Sequence, residues 1–299
     1  MYAKLLPLFA LAACATAPAP IEEDAKPATA MCEWAESCAD FDEWDKPAPP
    51  FQIYGSTWYV GTCGISSILV TNAQGHFLID SGTDKGAEIV LANIRTLGFD
   101  PRDVKLILMS HEHFDHVGGM ARLQAATGAT IVASPEAAAV LRSGLPGAGD
   151  PQAQSGHPPF PPVIGPIAII EEQLPQIIAD REMIPIFTPG HTLGATSWTW
   201  RSCEDAGCRS IVYVDSLNPI SSDGYRFSDH SDLLRAFRKG TADVGALDCD
   251  IVLAPHPSAA NMRSRLLGEA PLIDRQGCRK YTDAVTARLD KRLADEAAQ

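Results

Sequence analysis

The chain of 299 residues has no apolar run of the ~18 residues that a membrane-spanning helix needs. Its eight cysteines include no Cys-x-x-Cys pair, which argues against a thiolate metal cluster and leaves structural bridges as their use. Basic residues are scarce: 24 Lys and Arg stand against 37 Asp and Glu, a net charge of −13. Such a surface repels polyphosphates, so no nucleic-acid partner is expected. No internal repeat and no interior linker is visible. What is present is globular material, 45% hydrophobic and 20% charged, which excludes disorder for the bulk of the chain. The length suffices to bury one sizeable core.

The first residues carry an address. Lys4 precedes apolar residues 5–13, which run into the small residues Ala12, Ala13 and Cys14. A charged start, a short apolar stretch and a small-residue end make residues 1–13 a secretory signal peptide, too short for an anchor helix. The cysteines also suit an oxidising compartment, and the expected location is periplasmic. Leu11-Ala12-Ala13-Cys14 resembles a bacterial lipobox, after which Cys14 becomes a lipid-anchored N-terminus. Cleavage a few residues later, with Cys14 lost, is the other reading. Residues 14–37, rich in Ala, Pro and acidic side chains, read as a tether, and residues 38–299 as one catalytic domain.

Folded patterning begins near Phe51. Residues 57–60, 67–70 and 76–80 read as strands, the last entered by a turn at 72–75. Ile89, Val90, Ile94 and Leu97 recur at helical spacing, which predicts a helix over 85–97 stopped by Gly98. Residues 104–109 are apolar apart from Lys105, the pattern of a buried strand. A helix over 117–127 ended by Gly128 and a strand over 130–133 follow. Residues 145–166 are rich in Pro and Gly without periodicity, hence a long surface loop. Further strands are expected at 183–187, 196–201, 211–214 and 251–254, and a helix over 279–297 closes the chain. Strands in each half with helices interspersed make the class α/β or α+β. Cys203 and Cys208 flank a tight acidic turn and are placed to bridge. Cys249 and Cys278 are placed to tie the last strand region to the terminal helix, and Cys38 with Cys63 to pin the N-terminal arm. That pairing leaves Cys32 unpaired.

The informative segment is Ser110-His111-Glu112-His113-Phe114-Asp115-His116-Val117-Gly118-Gly119, where a buried strand ends and a helix begins. In a near-extended turn His111 and His113 point to the same side, whereas the adjacent Asp115 and His116 diverge. Four ligand-type side chains within six positions therefore serve two metals better than one. Imidazole and carboxylate without thiolate suit Zn²⁺ in a hydrolytic site. Two metals need further ligands, and two later turns each supply a histidine after a strand: Pro189-Gly190-His191-Thr192 and Ala254-Pro255-His256-Pro257. His76, His157 and His230 have no comparable context and default to surface or loop roles.

The His-x-His-x-Asp-His turn, the Gly-His-Thr segment and the late Pro-His turn resemble the metallo-β-lactamase superfamily, from Cys38 to the C-terminus. The resemblance implies an α/β fold, the four-layer αββα sandwich, with the site along one edge of its two sheets. Within the superfamily the chain is most similar to subclass B3, through Thr57-Trp58-Tyr59-Val60-Gly61-Thr62, Ser197-Trp198-Thr199-Trp200, Tyr213-Val214-Asp215-Ser216-Leu217 and the pair Cys249/Cys278. On that likeness one zinc takes His111, His113 and His191, and the other takes Asp115, His116 and His256. Two Zn²⁺ are thus the implied cofactors. Subclass B1 enzymes use a cysteine as second-site ligand, and here Ser216 occupies that region.

The implied activity is hydrolysis of the β-lactam amide of penicillins, cephalosporins and carbapenems, giving antibiotic resistance. A metal-bound hydroxide is the implied nucleophile, and Asp115 the catalytic carboxylate that orients it and shuttles its proton. Ser216 and Asn218 stand where the family hydrogen-bonds the carboxylate of the small-molecule substrate, loop capping being their plainer use. Trp58 is either an apolar wall for the bicyclic substrate or an ordinary strand core residue. The alternative is another hydrolase of the superfamily, a thioesterase of the glyoxalase II type or a lactonase. Those enzymes bridge both metals with a further aspartate, for which Asp215 is the candidate. The export signal, the cysteines and the acidic surface weigh against that alternative.

Overall fold

Strands whose every residue is apolar and buried leave no solvent face, so a sheet built from them must be covered on both sides. In the computed structural model, which describes residues 26–170 and 173–298, the middle of the first sheet is of this kind, residues 68–70 being wholly apolar and buried and residues 76–79 buried throughout. After α1 (Lys26–Ser37), β1 (Phe51–Tyr54), β2 (Thr57–Tyr59), β3 (Ile68–Val70) and β4 (His76–Ile79) form an antiparallel meander. The chain then alternates through α2 (Gly86–Thr96), β5 (Val104–Leu108), α3 (Phe114–Val117), α4 (Met120–Thr127), β6 (Thr130–Ala133), α5 (Pro135–Ser143) and β7 (Ile167–Ile169). From β4 to β7 the pairing is parallel, completing a seven-stranded sheet in sequence order.

The second sheet has five strands. Antiparallel β8 (Gln176–Ile178), β9 (Arg181–Phe187), β10 (Thr196–Glu204) and β11 (Gly207–Tyr213) precede α6 (Ser231–Gly245). Next come β12 (Ile251–Leu253), parallel to β11, then α7 (Met262–Leu266) and the long α8 (Gly277–Ala297).

Three buried clusters account for four layers. Between the sheets, Ile68, Phe77 and Leu108 meet Trp198, Tyr213 and Leu253. Outside the first sheet, Val90, Ile94, Leu123 and Leu141 of the helices pack on Leu78 and Ile107. Outside the second, Phe237, Val244, Val285 and Leu289 cover Val212 and Val252. Each such side chain contributes about 1.5–3 kcal/mol of burial free energy, and the order α, β, β, α is the sandwich expected from the resemblance.

Residues 26–37, read from composition as the end of a tether, are instead helix α1, and the packed body begins before Cys38. Trp34 and Ala35 are buried in the core between the sheets, with the Trp34 ring 5.5 Å from Tyr59 and 6.1 Å from Phe51. Ala30, Met31, Trp34, Ala35 and Cys38 share one helical stripe, which Ala/Pro-rich composition hid. Helices α5 and α6 escaped the periodicity reading because much of their buried surface is Ala, Gly and Thr. Residues 145–166 are the irregular loop expected. The signal segment, Cys14 and the tether up to residue 25 lie outside the described residues.

The disulfides are Cys38–Cys63, Cys203–Cys208 and Cys249–Cys278, as placed from the sequence. Cys32 is no leftover thiol: it too is disulfide-bonded. Gly119 shows why the metal-type motif ends in a glycine pair, since a Cβ there would lie 2.4 Å from Ala87 Cβ. Gly190 is constrained likewise, because its Cβ would lie 2.3 Å from the Phe237 ring.

Candidate active site

Strands of both sheets end close together, and the turns after them carry the chemistry. Asp80 follows β4, the segment from His111 to His116 follows β5, His191 follows β9, Asp215 follows β11 and His256 follows β12. Side chains within the strands are committed to the cores, so the turns are where polar groups can converge. Two groups of ligand atoms result, His111 with His113 and His191, and Asp115 with His116 and His256. Within each group the atoms lie no more than 4.8 Å apart.

The rings of His111, His113 and His191 form a near-equilateral triangle, with centroids 4.9, 4.7 and 4.8 Å apart. His116 lies 4.2 Å from His111 and 4.9 Å from His256, so the two groups adjoin. Three nitrogen ligands leave a tetrahedral ion one open position, the pattern of a catalytic rather than a closed structural site.

Each ring is oriented from behind. His111 Nδ1 shares a 3.1 Å hydrogen bond with Ser110 Oγ and lies 2.8 Å from Asp215 Oδ1 without aligned hydrogen-bond geometry, and His113 Nε2 lies 3.0 Å from Asp150 Oδ2. His191 Nδ1 faces the Asn218 carbonyl at 2.9 Å, and His256 Nδ1 faces the Gly64 carbonyl at 3.2 Å. An acceptor behind the ring decides which nitrogen keeps its hydrogen and turns the other lone pair toward the centre. His116 differs. Its Nδ1 is 3.6 Å from Asp80 and its Nε2 is 3.1 Å from Asp115, yet neither buried nitrogen makes an aligned hydrogen bond. Five imidazoles and a carboxylate without a thiolate, one ring with both nitrogens unsatisfied, fit a pair of divalent metal ions.

Electrostatics set the protonation of this donor set. Burial and the neighbouring rings hold His111 well below its ordinary value. Burial, then His113, pushes His191 down to about 3; burial, then His116, pushes His256 down to about 4. For His116 burial is outweighed by the carboxylates of Asp115 and Asp80, and the ring is pushed up to about 10. Asp115, although buried, is held below the usual carboxylate range by His116 and His256. Neutral imidazole and ionised carboxylate are the ligand forms, so a metal ion at the Asp115, His116 and His256 group would have to displace the proton that the two carboxylates hold on His116. Burial pushes Asp215 up to about 7.

Three carboxylates that the sequence reading passed over hold the turns in place. Asp80, with a left-handed backbone at φ 59°, accepts hydrogen bonds from Ser110 N (2.6 Å), Ser110 Oγ (2.7 Å) and Tyr213 Oη (2.8 Å). Glu112 accepts from Thr192 Oγ1 at 2.6 Å and Gly194 N at 2.8 Å, tying the first ligand turn to the second. Asp150 reaches His113 from the long loop. Asp80 and Glu112 had a signal, an acid at the end of a buried strand and an acid inside the motif. Asp150 had none.

A cleft of 680 Å³ opens over the metal-type residues, and both Ser216 and Asn218 line it. Trp58 does not. Alternation along β2 sends Tyr59 into the core between the sheets and Trp58 to the helix side, where its ring meets Phe99 at 5.3 Å and its Nε1 donates to Thr71 Oγ1. Trp44, edge-on to Phe114 at 5.4 Å and 6.3 Å from His256, supplies the aromatic wall instead. His157, assigned a plain loop role from the sequence, lines the cleft with its ring 5.1 Å from His113. His76 is buried in β4 and accepts from Asn72 N, whereas His230 stacks on Tyr225. Asp215 belongs to neither ligand group; its carboxylate stands behind His111, so no metal-bridging aspartate is assembled among the described residues.

A family model described as the metallo-beta-lactamase superfamily matches residues 60–206. The solved structure of MIM-2 metallo-beta-lactamase is 50% identical, with 89% of this chain and 98% of that one covered and a TM-score of 0.85. MEM-A1, a subclass B3 metallo-beta-lactamase from a soil metagenome library, is 43% identical, with 86% and 99% covered and a TM-score of 0.80. Among curated proteins, N-acyl homoserine lactonase AttM of Azorhizobium caulinodans is 33% identical over 81 residues, 20% of this chain. The chain spans 31% of the length of that lactonase.

Proposed function

The chain belongs to the metallo-β-lactamase superfamily, and from that premise we propose that it hydrolyses the β-lactam amide of penicillins, cephalosporins and carbapenems with two Zn²⁺, and so gives antibiotic resistance. The observation that carries this reading is the pair of adjoining ligand groups in a cleft, with neither a cysteine ligand nor a bridging aspartate among the described residues. Its likeness to solved subclass B3 enzymes over most of both chains supports the same substrate class.

His111, His113 and His191 would hold one ion, and Asp115, His116 and His256 the other. Bound there, zinc would supply Lewis-acid polarisation of the amide carbonyl and an ionised water near neutral pH. The rest falls to the protein. Asp115, nearly buried beside His116 and His256, orients the attacking oxygen and takes its proton on the carboxylate. Ser216 and Asn218 offer hydrogen-bond donors to the ring carboxylate. The Tyr281 hydroxyl fixes that wall by donating to the Asp215 and Ser216 carbonyls. Asp215, Asp150 and the Asn218 and Gly64 carbonyls keep the imidazoles from turning, so little reorganisation accompanies reaction. Asp80 and Glu112 hold the turns that carry them.

Turnover of a chromogenic cephalosporin is the test, abolished by a chelator and restored by zinc. Zinc-loaded protein that leaves penicillins, cephalosporins and carbapenems intact while cleaving thioesters or acyl-homoserine lactones would overturn the reading. His116→Ala should lose one bound ion per chain and most of the rate, and unchanged stoichiometry would contradict the ligand assignment. Export to the periplasm belongs to the same proposal, and the disulfides support an oxidising compartment. A lipid thioether and a disulfide exclude each other at Cys14, so labelled-lipid incorporation lost in Cys14→Ser would establish the anchor over a bridge.

A further inference from the structure

Three cations line the cleft, and two of them are engaged. Lys280 is paired with Asp274 at 2.7 Å, and Arg265 donates to the carbonyls of Ala260, Pro271 and Leu272. Arg288 is exposed and, among the described residues, has neither a hydrogen bond nor an ion pair. Its place along the cleft follows from what anchors α8. Tyr281 donates to the Asp215 and Ser216 carbonyls, both at 3.1 Å, and Arg292 donates to Ser221 Oγ at 2.8 Å and the Tyr225 carbonyl at 2.6 Å. Arg288 comes two helical turns after Tyr281 and one before Arg292 on the same stripe, hence beside the stretch 218–220. Asn218 and Ile220 of that stretch line the cleft with it.

We propose that Arg288 is a specificity-determining residue, whose guanidinium receives the carboxylate of the β-lactam at the Ser216–Asn218 wall. The proposal rests on the reading of the chain as a β-lactam hydrolase and adds the charge that reading lacks. Ser216 and Asn218 are neutral donors, while the chain as a whole carries a net charge of −13. An anionic substrate entering such a field gains from a local positive charge at the mouth. A guanidinium with its donor fork free matches a carboxylate in two parallel hydrogen bonds.

The test compares one cephalosporin with its methyl ester, which differs only in the charge. Arg288→Ala is expected to raise KM for the acid about 5- to 10-fold and to leave kcat, and KM for the ester, within about twofold. Arg288→Gln should show the same split, and Arg288→Lys should restore most of the loss. Raising salt from about 0.05 to about 0.5 M should raise KM for the acid in the wild type and barely in Arg288→Ala. Arg102→Ala, which removes one charge from an exposed pair remote from the cleft, controls for net charge. Equal effects on acid and ester, or no effect on either, overturn the proposal while the hydrolase reading stands. A wild type that cleaves no β-lactam overturns both.

Discussion

Replacing Asp80 tests whether the ligand turn is held by one buried carboxylate. Its three hydrogen bonds, from Ser110 N, Ser110 Oγ and Tyr213 Oη, are all short and fully buried. Taking about 1 kcal/mol net for each, Asp80→Ala loses about 3 kcal/mol. Asp80 also sits in the left-handed region at φ 59°, where alanine costs about 1 kcal/mol more than Asp or Asn. The expected loss is therefore about 4 kcal/mol, a large share of a typical stability of about 5–15 kcal/mol. Asp80→Asn keeps the backbone and one acceptor and should cost about 1–2 kcal/mol, and Tyr213→Phe about 1 kcal/mol. Because Asp80 also stands behind His116, metal affinity at the Asp115, His116 and His256 group should fall about 10- to 100-fold in Asp80→Ala. Equilibrium unfolding in urea of the zinc-free protein, with zinc titration of the folded variants, measures both. Loss of less than about 1 kcal/mol in Asp80→Ala, or a large loss with unchanged zinc affinity, would refute the reasoning. Effects of Asp80→Ala and Tyr213→Phe that simply add would show that the two groups do not share one hydrogen bond.

Glu296, on α8, gives an acid-stability prediction. Burial opposes its charge, but the N–H groups of Ser228 and Phe227 and the Arg292 side chain outweigh this and pull it from 4.5 down to about 2. A depressed carboxylate stabilises the fold above its unfolded value and loses that contribution as pH falls from 4.5 toward 2. Glu296→Gln should thus cost about 2 kcal/mol at pH 7, allowing for screening of the partly exposed Arg292, and the gap to wild type should close in denaturation curves taken below pH 3. Breaking Cys249–Cys278, which closes a separation of 29 residues, should cost about 3–4 kcal/mol, more than the about 2 kcal/mol for the short Cys203–Cys208 loop; paired Cys→Ala variants in urea check the order. Trp58→Phe should lower stability by about 1 kcal/mol and leave KM within about twofold, since its ring faces Phe99 and not the cleft; a selective KM effect would return it to the substrate wall.

The two candidate ligand groups were legible before any fold was known. Asp115 and His116 within reach of His111 and His113 form a local pattern that few structural needs produce, and the elements bearing them follow from periods of 2.0 and 3.6 residues. The boundaries of α2 and β6 and the end of α4 could be read for the same reason, with Gly98 and Gly128 in left-handed conformation after the helices. By contrast, α4 starts at Met120 rather than at residue 117 because Gly118-Gly119 separate it from α3. Helix α1 could not be separated from a tether by composition, because its stability comes from seating Trp34 against Phe51 of β1 and Tyr59 of β2 rather than from its own residues.

The chain order by itself determined which side chains are candidates to carry the chemistry, because donor type and spacing are local properties. Tertiary structure alone decided what stands behind them: Asp80 beneath Ser110, Asp150 against His113, Asp215 against His111 and Glu112 across to Gly194. It also decided that His157 and Arg288 face the cleft while Trp58 turns away. Contacts of that kind join residues 30 to more than 100 positions apart. They exist only once two sheets have packed and brought their strand ends to one place, which no local pattern encodes.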